Sequence, residues 1–182
     1  MKIVLATPLY PPDVAEPAPY MKELARRLSK SHEVTVVAYG ALLEEVPGVR
    51  IIPIHKGRPL PLRLFAFTRA LLRATRHADL VYVANGASAE LPLIALSFAT
   101  RIPLYLALAD HAAHGRARHR LGMRIIERLA MSRAHGIISA LPPPKPEILP
   151  LEPEPTEALE TYERAWKAHE AELDSLFSHA HA

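Results

Sequence analysis

Asp110-His111 places a carboxyl beside an imidazole immediately after the apolar run Pro103–Leu108. Such a pair can act together as a base or orient an acceptor hydroxyl. The competing possibility is two solvated residues of a loop. His114 and His119 follow, but the chain has no cysteine and no histidine pair at i,i+4 spacing, so no metal site is expected. A second candidate is Asn85-Gly86-Ala-Ser88, which follows another apolar run. Asn85 is the one Asn in a chain without Gln, and a ligand contact is expected there. The alternative is that Gly86 turns the chain and Ser88 caps the next helix. The third candidate is the loop Pro8–Pro19, in which Pro12, Asp13 and Glu16 are expected to face a ligand. Two arginine groups complete the inventory. Arg63, Arg69, Arg73 and Arg76 alternate with Leu and Phe, either as an anion-binding surface or as a solvated helix face over a leucine core. Arg116, Arg118, Arg120, Arg124 and Arg128 would bind phosphate, nucleic acid or the acidic end of the chain.

The elements that hold these residues follow from periodicity. Lys2–Thr7 is a short apolar run before a proline-rich loop, hence a buried strand. A helix over 20–29 follows, with Leu24 and Leu28 one turn apart and Pro19 in its first turn. Glu33–Ala38 is a second β-branched strand, which makes the opening a βαβ unit with ligands expected at the carboxyl edge of its first strand. Further strands are expected at Val49–Ile54, near a sheet edge because Pro53 cannot donate to a ladder, and at Asp79–Ala84, Pro103–Leu108 and His135–Ser139. Helices are expected at Leu60–His77, Ala89–Thr100 with Pro92 in the first turn, and Arg120–Arg133, with 110–118 as a loop. The alternation implies a Rossmann-like, doubly wound parallel sheet of about six strands in residues 1–140. A proline-rich connector over 141–155 leads to an acidic amphipathic helix within 156–182, capped by Thr156 and packing back on the sheet domain.

Composition narrows the function classes. Residues 1–140 hold 19 Lys and Arg against 10 Asp and Glu, whereas residues 141–182 hold 3 against 9. A basic body with an acidic tail points to docking between them or to an anionic partner. No apolar run reaches the ~18 residues of a membrane span and no signal-like segment opens the chain, so a cytoplasmic protein is expected. Absence of Cys removes disulfides and thiol nucleophiles. Scarce Asn and Gln with abundant Arg and Pro resembles a thermophile composition, and a GC-rich genome would give the same bias. Nucleic acid is not expected, because no recognition motif is present and aromatic residues are few.

Three segments carry a resemblance. Met1-Lys-Ile-Val-Leu-Ala-Thr-Pro-Leu-Tyr-Pro-Pro-Asp13 with Tyr20–Leu28 and His32–Val37, then Ala78–Gly86, then Glu127–Ser139, resemble in order and spacing the N-terminal domain of family 4 glycosyltransferases. These are retaining GT-B enzymes of two Rossmann-like domains. The resemblance implies an acceptor-side domain, with Asp110 and His111 near an acceptor. It also implies a peripheral membrane surface at Arg63, Arg69, Arg73 and Arg76, used by lipid-modifying members at the inner membrane face. The chain departs from the family where a glycine pair is usual: Ala15-Glu16-Pro17 stands there. Nothing after Ser139 resembles the donor domain; Ile148–Leu151 is similar to a remnant of the interdomain strand. The expectation is therefore the acceptor-binding half of a glycosyltransferase, of hexosyltransferase type if active, needing a partner chain for donor binding. No cofactor is expected, and a nucleotide sugar only where a donor site exists. The alternatives are a non-catalytic ligand-binding or scaffold homodimer, and a minimal enzyme using Asp110 or His111.

Overall fold

The computed structural model describes residues 1–145 and 156–179; the expected interdomain remnant at 148–151 and the Thr156 cap lie outside the described residues and side chains. Backbone contacts divide the chain into Met1–Ser139 and Ala140–Ala182.

Six strands form the first unit: β1 (Lys2–Thr7), β2 (Glu33–Tyr39), β3 (Val49–Ile54), β4 (Leu80–Ala84), β5 (Leu104–Ala107) and β6 (Gly136–Ile138). All pair in parallel, in the order β3-β2-β1-β4-β5-β6. This is the Rossmann-like arrangement, and its order reverses between β1 and β4, where a crevice opens at the carboxyl edge. β1, β4 and β5 read as unbroken apolar runs because both their faces are covered. Pro53 sits on β3 at the sheet edge, as its missing N–H requires.

The helices are α1 (Ala18–Leu28), α2 (Leu60–Ala74, continued by a 3-10 turn Thr75–His77), α3 (Ala87–Ala99), α4 (His111–His119) and α5 (Leu121–Arg133). One face of the sheet packs on α2, α3 and α5, where Phe67, Leu71, Leu93, Leu96 and Ala130 meet Val4, Val37, Val83 and Leu106. α1 covers the other face near β1 and β2, burying Met21, Leu24, Ala25 and Leu28. Tyr20 and Tyr82 exchange a hydroxyl hydrogen bond at 2.6 Å.

Three local expectations are corrected. Residues 111–119 are helix, not loop: Asp110 caps the segment by accepting a 2.7 Å hydrogen bond from the Ala113 N–H. α3 begins at Ala87 with Gly86 at its cap, so Ser88 lies in the first turn and does not cap. Pro92 is consequently interior. It cannot supply the N–H that would bond the Ser88 carbonyl, and the Tyr39 hydroxyl donates to that carbonyl instead, at 3.0 Å.

The second unit contributes α6 (Thr156–His179). Its buried stripe is Tyr162, Trp166, His169, Leu173 and Phe177, spaced at three and four residues as one helix face requires. Trp166 meets Tyr162 and His169 edge to face at 6.3 and 5.8 Å. His169 occupies a position the apolar pattern left vacant, and burial pushes its imidazole below the usual range, against the opposing pull of Glu172. Among the described residues no helix is long and apolar enough to cross a membrane.

Candidate functional site

A cleft of about 540 Å³ opens at the carboxyl edge of the sheet, at the point where strand order reverses. The β1 loop contributes Pro8 and Leu9, the β4 loop Gly86 and Ser88, and the β5 loop Asp110. α2, α3 and α5 bring Arg63, Glu90 and Glu127 to its wall. Its size lies in the range of small-molecule sites, ~300–1,000 Å³.

Asn85 holds the β4 and β5 loops together. Its side-chain amide donates to the Asp110 carbonyl at 2.9 Å, and its carbonyl oxygen accepts from the Asp110 N–H at 2.6 Å. Both ends of this fully buried amide are thus spent on backbone, which places Asn85 behind the cleft wall as a clasp. Gly86 adopts φ +127°, and a Cβ there would stand 3.2 Å from Pro8 Cγ. Glycine is therefore needed both for the backbone conformation and for the close approach of the β1 and β4 loops.

Three carboxyls line it: Glu90, Asp110 and Glu127 are each about 94–97 % buried. Glu90 Oε1 accepts a 3.1 Å hydrogen bond from the Gly86 N–H. Burial pushes its carboxyl up to about 7; the Gly86 hydrogen bond and His114 oppose the rise, while the charges of Glu127 and Asp110 add to it. Near neutral pH this group exchanges a proton readily, the property that suits a general acid or base. Glu127 Oε1 lies 2.7 Å from His114 Nδ1. Asp110 directs Oδ1 to the α4 cap, while its Oδ2 stands 3.5 Å from Arg116.

Cations line the cleft as well. Arg63 projects toward Tyr39, its guanidinium 5.2 Å from the ring centroid, and one of its nitrogens donates to the Lys56 carbonyl at 3.4 Å. The Arg63 Nε is buried and makes no hydrogen bond among the described residues. Tyr39 stacks on Phe67 at 4.6 Å, and burial pushes its hydroxyl up to about 12, against the Arg63 charge. Lys56 pairs with Asp13. The arginines expected to act as one surface therefore divide: Arg63 lines the cleft, whereas Arg69, Arg73 and Arg76 are exposed.

His111 is exposed, and its Nδ1 lies 2.9 Å from Glu16 of the β1 loop. Pro12, in the same loop, is exposed. Asp110 and His111 thus diverge: the carboxyl turns into the cleft and the imidazole toward Glu16. Among the described residues no group of three or more His, Asp and Glu is arranged to hold a metal ion. Sequence reasoning missed Glu90, His114 with Glu127, and Tyr39. The available signal was a lone acid in an apolar helix: Glu90 precedes Leu-Pro-Leu-Ile-Ala-Leu, where a solvated face has no place.

No family model matches the chain, and no curated protein matches it. Among solved structures, the C-terminal domain of the coenzyme A biosynthesis bifunctional protein CoaBC is similar over 96% of this chain and 96% of that one, at 14% identity and a TM-score of 0.49. An alpha-glucosyltransferase, solved in complex with UDP and a 13-mer DNA containing a central A:G mismatch, is similar over 75% of this chain at 15% identity and a TM-score of 0.43. The similarity spans 36% of that chain. Neither likeness extends beyond fold. What the residues themselves establish is a Rossmann-like α/β protein with an acid-lined cleft at the switch point of its parallel sheet.

Proposed function

We propose that the cleft binds the hydroxyl-rich acceptor of a glycosyl transfer, as the acceptor-side half of a family 4-like enzyme whose donor domain lies outside these 182 residues. The observation that carries this reading is the convergence of Glu90, Asp110 and Glu127 on one cleft at the strand carboxyl edge. Buried carboxyls accept hydrogen bonds from vicinal hydroxyls, and a polyol can satisfy several at once. A carboxyl that titrates near neutrality can also take up the proton released as an acceptor hydroxyl attacks. Arg63, Lys56 and Arg116 face the same cleft and suit a phosphate or carboxylate elsewhere on the acceptor. The order and spacing of the family 4-like segments in residues 1–139 support the assignment of class. Fold alone would not, because one fold hosts many chemistries.

Saturation-transfer NMR against a panel of monosaccharides, inositols and their phosphates tests the reading. At least one polyol is expected to bind, and Glu127→Gln is expected to weaken it while leaving the melting curve cooperative. UDP-, GDP- and ADP-sugars are expected to give no thermal shift with this chain alone. Failure of every polyol, or a clear shift with a nucleotide sugar, would sink the acceptor-half assignment.

A further inference from the structure

We propose that the amino edge of the sheet, under the C-terminal end of α2, holds a second binding site, for a small phosphomonoester. A cavity of about 360 Å³ opens there, at the strand ends opposite the cleft. The proposal does not depend on the function assigned to the cleft.

Strand alternation sets one wall. Val4 of β1, Val37 of β2 and Ile54 of β3 belong to the core under α2. Lys2, Thr35 and Arg50 lie an even number of residues away and share that face. The register pairs Lys2 with Glu33 and Thr35 with Arg50. A parallel strand covered on both faces is ordinarily apolar throughout. Here four polar side chains stand on the covered face instead.

The helix sets the other wall and leaves it hollow. Phe67 and Leu71 pack into the core, but Ala70 and Ala74 of α2, with Ala78 just beyond it, are half-buried and line the cavity. Their four-residue spacing keeps them on one side. Alanine ends at Cβ, so these turns leave a volume that close packing would otherwise fill with longer side chains. Ile52 of β3 adds to the apolar lining.

The charge of the lining is unbalanced. Lys2, Arg50 and Arg73 bring three cations, with His77 beside them, against the single carboxylate of Glu33. Lys2 Nζ lies 3.4 Å from Glu33, and the neighbouring Asp79 spends a carboxylate oxygen on the Lys2 backbone N–H. Among the described residues neither Arg50 nor Arg73 forms an ion pair.

The ligand class follows from that balance. An excess of two positive charges matches a phosphomonoester, which carries about −1.5 to −2 near neutral pH. Guanidinium groups present paired N–H donors that fit phosphate oxygens, and the Thr35 hydroxyl adds a further donor. The apolar lining suits a short carbon body joined to the phosphate. The volume lies at the small end of ligand cavities, ~300–1,000 Å³.

Two-dimensional amide NMR of the full chain, titrated with inorganic phosphate and with butyl phosphate, tests the proposal. Saturable shifts are expected at Thr35, Ile52 and Ala74. Butyl phosphate should bind more tightly, by roughly fourfold for each CH₂ it buries. Arg50→Gln or Arg73→Gln should weaken binding about tenfold or more, as loss of a charge-assisted hydrogen bond implies. Ala74→Leu keeps every charge and fills the cavity, so binding should disappear while melting stays cooperative; Ala70→Leu is the second filling variant. Arg69→Gln with Arg76→Gln, outside the lining, should leave binding unchanged. The proposal is overturned if neither ligand gives saturable shifts, or if the shifts fall only at Gly86, Ser88 and Ala113, which would place phosphate in the cleft. Equal affinity for the two ligands, undiminished binding by a folded filling variant, or an equal loss in the Arg69 and Arg76 variant would also overturn it.

Discussion

Glu90→Gln keeps the length and planarity of the side chain and its hydrogen bond from the Gly86 N–H, while removing the charge. In the folded protein the Glu90 carboxyl titrates at about 7 instead of 4.5, chiefly because it is buried. Between those two values the folded state holds a proton that the unfolded chain has released. Native stability therefore falls as pH rises across this window, by about 1.4 kcal/mol per pH unit for a single group. Over the whole window the cost comes to about 3 kcal/mol, present in full above the folded value and absent below pH 4.5. The Gln variant carries no such penalty. Urea unfolding from pH 4.5 to 8 should show the variant near wild type at the acid end and more stable by about 3 kcal/mol at the alkaline end. The gain should appear in the midpoint, with the urea slope unchanged. A difference between the two proteins that is flat with pH would refute the assignment of Glu90 as a buried, proton-holding carboxyl.

Two further substitutions probe how the cleft is held. Asn85→Ala leaves the buried Asp110 N–H without its partner, while the Asp110 carbonyl keeps the His114 N–H. Chemical unfolding is expected to register a loss of about 1–3 kcal/mol, the cost of one buried orphan; no measurable loss would mean the loop re-pairs itself. Tyr39→Phe strands the Ser88 carbonyl that Pro92 cannot serve, at an expected cost of about 1–2 kcal/mol. Pro92→Ala in the Tyr39→Phe background restores an N–H at that point. The double variant should recover part of the loss, and simple additivity in the cycle would count against the pairing.

The parallel sheet was legible from residues 1–139 because its strands are buried on both faces and so appear as uninterrupted apolar runs, with no competing periodicity. Lys2–Thr7 and Val49–Ile54 were bounded correctly, and Pro53 located the edge strand through a missing donor. α4 was not legible. Asp110-His-Ala-Ala-His-Gly reads as a polar loop until the Asp110 carboxyl is seen accepting from Ala113, a contact made within four residues but invisible to hydrophobic patterning. The start of α3 was displaced for a related reason: a proline at an interior position argues for a later beginning, unless a distant hydroxyl such as that of Tyr39 takes over the carbonyl the proline abandons.

The cleft divides along the same line. Its location was implied by sequence order, because the loops after β1 and β4 must meet wherever strand order reverses. Its chemistry was not. Asp110 and His111 are adjacent in the chain but diverge in space, and Asn85, prominent for its rarity, spends both ends of its amide on backbone. Glu90, Asp110 and Glu127 come from three segments that only tertiary packing brings to one cleft, and the burial that raises the Glu90 pKa is a property of the neighbours collected around it. Local apolar pattern, turn residues and donor-less prolines are written along the chain, so the strands, most helices and the parallel class of the sheet follow from sequence alone. Proton affinity and ligand shape depend on which distant groups share a low-dielectric space, and that was decided when α2, α3 and α5 closed over the sheet.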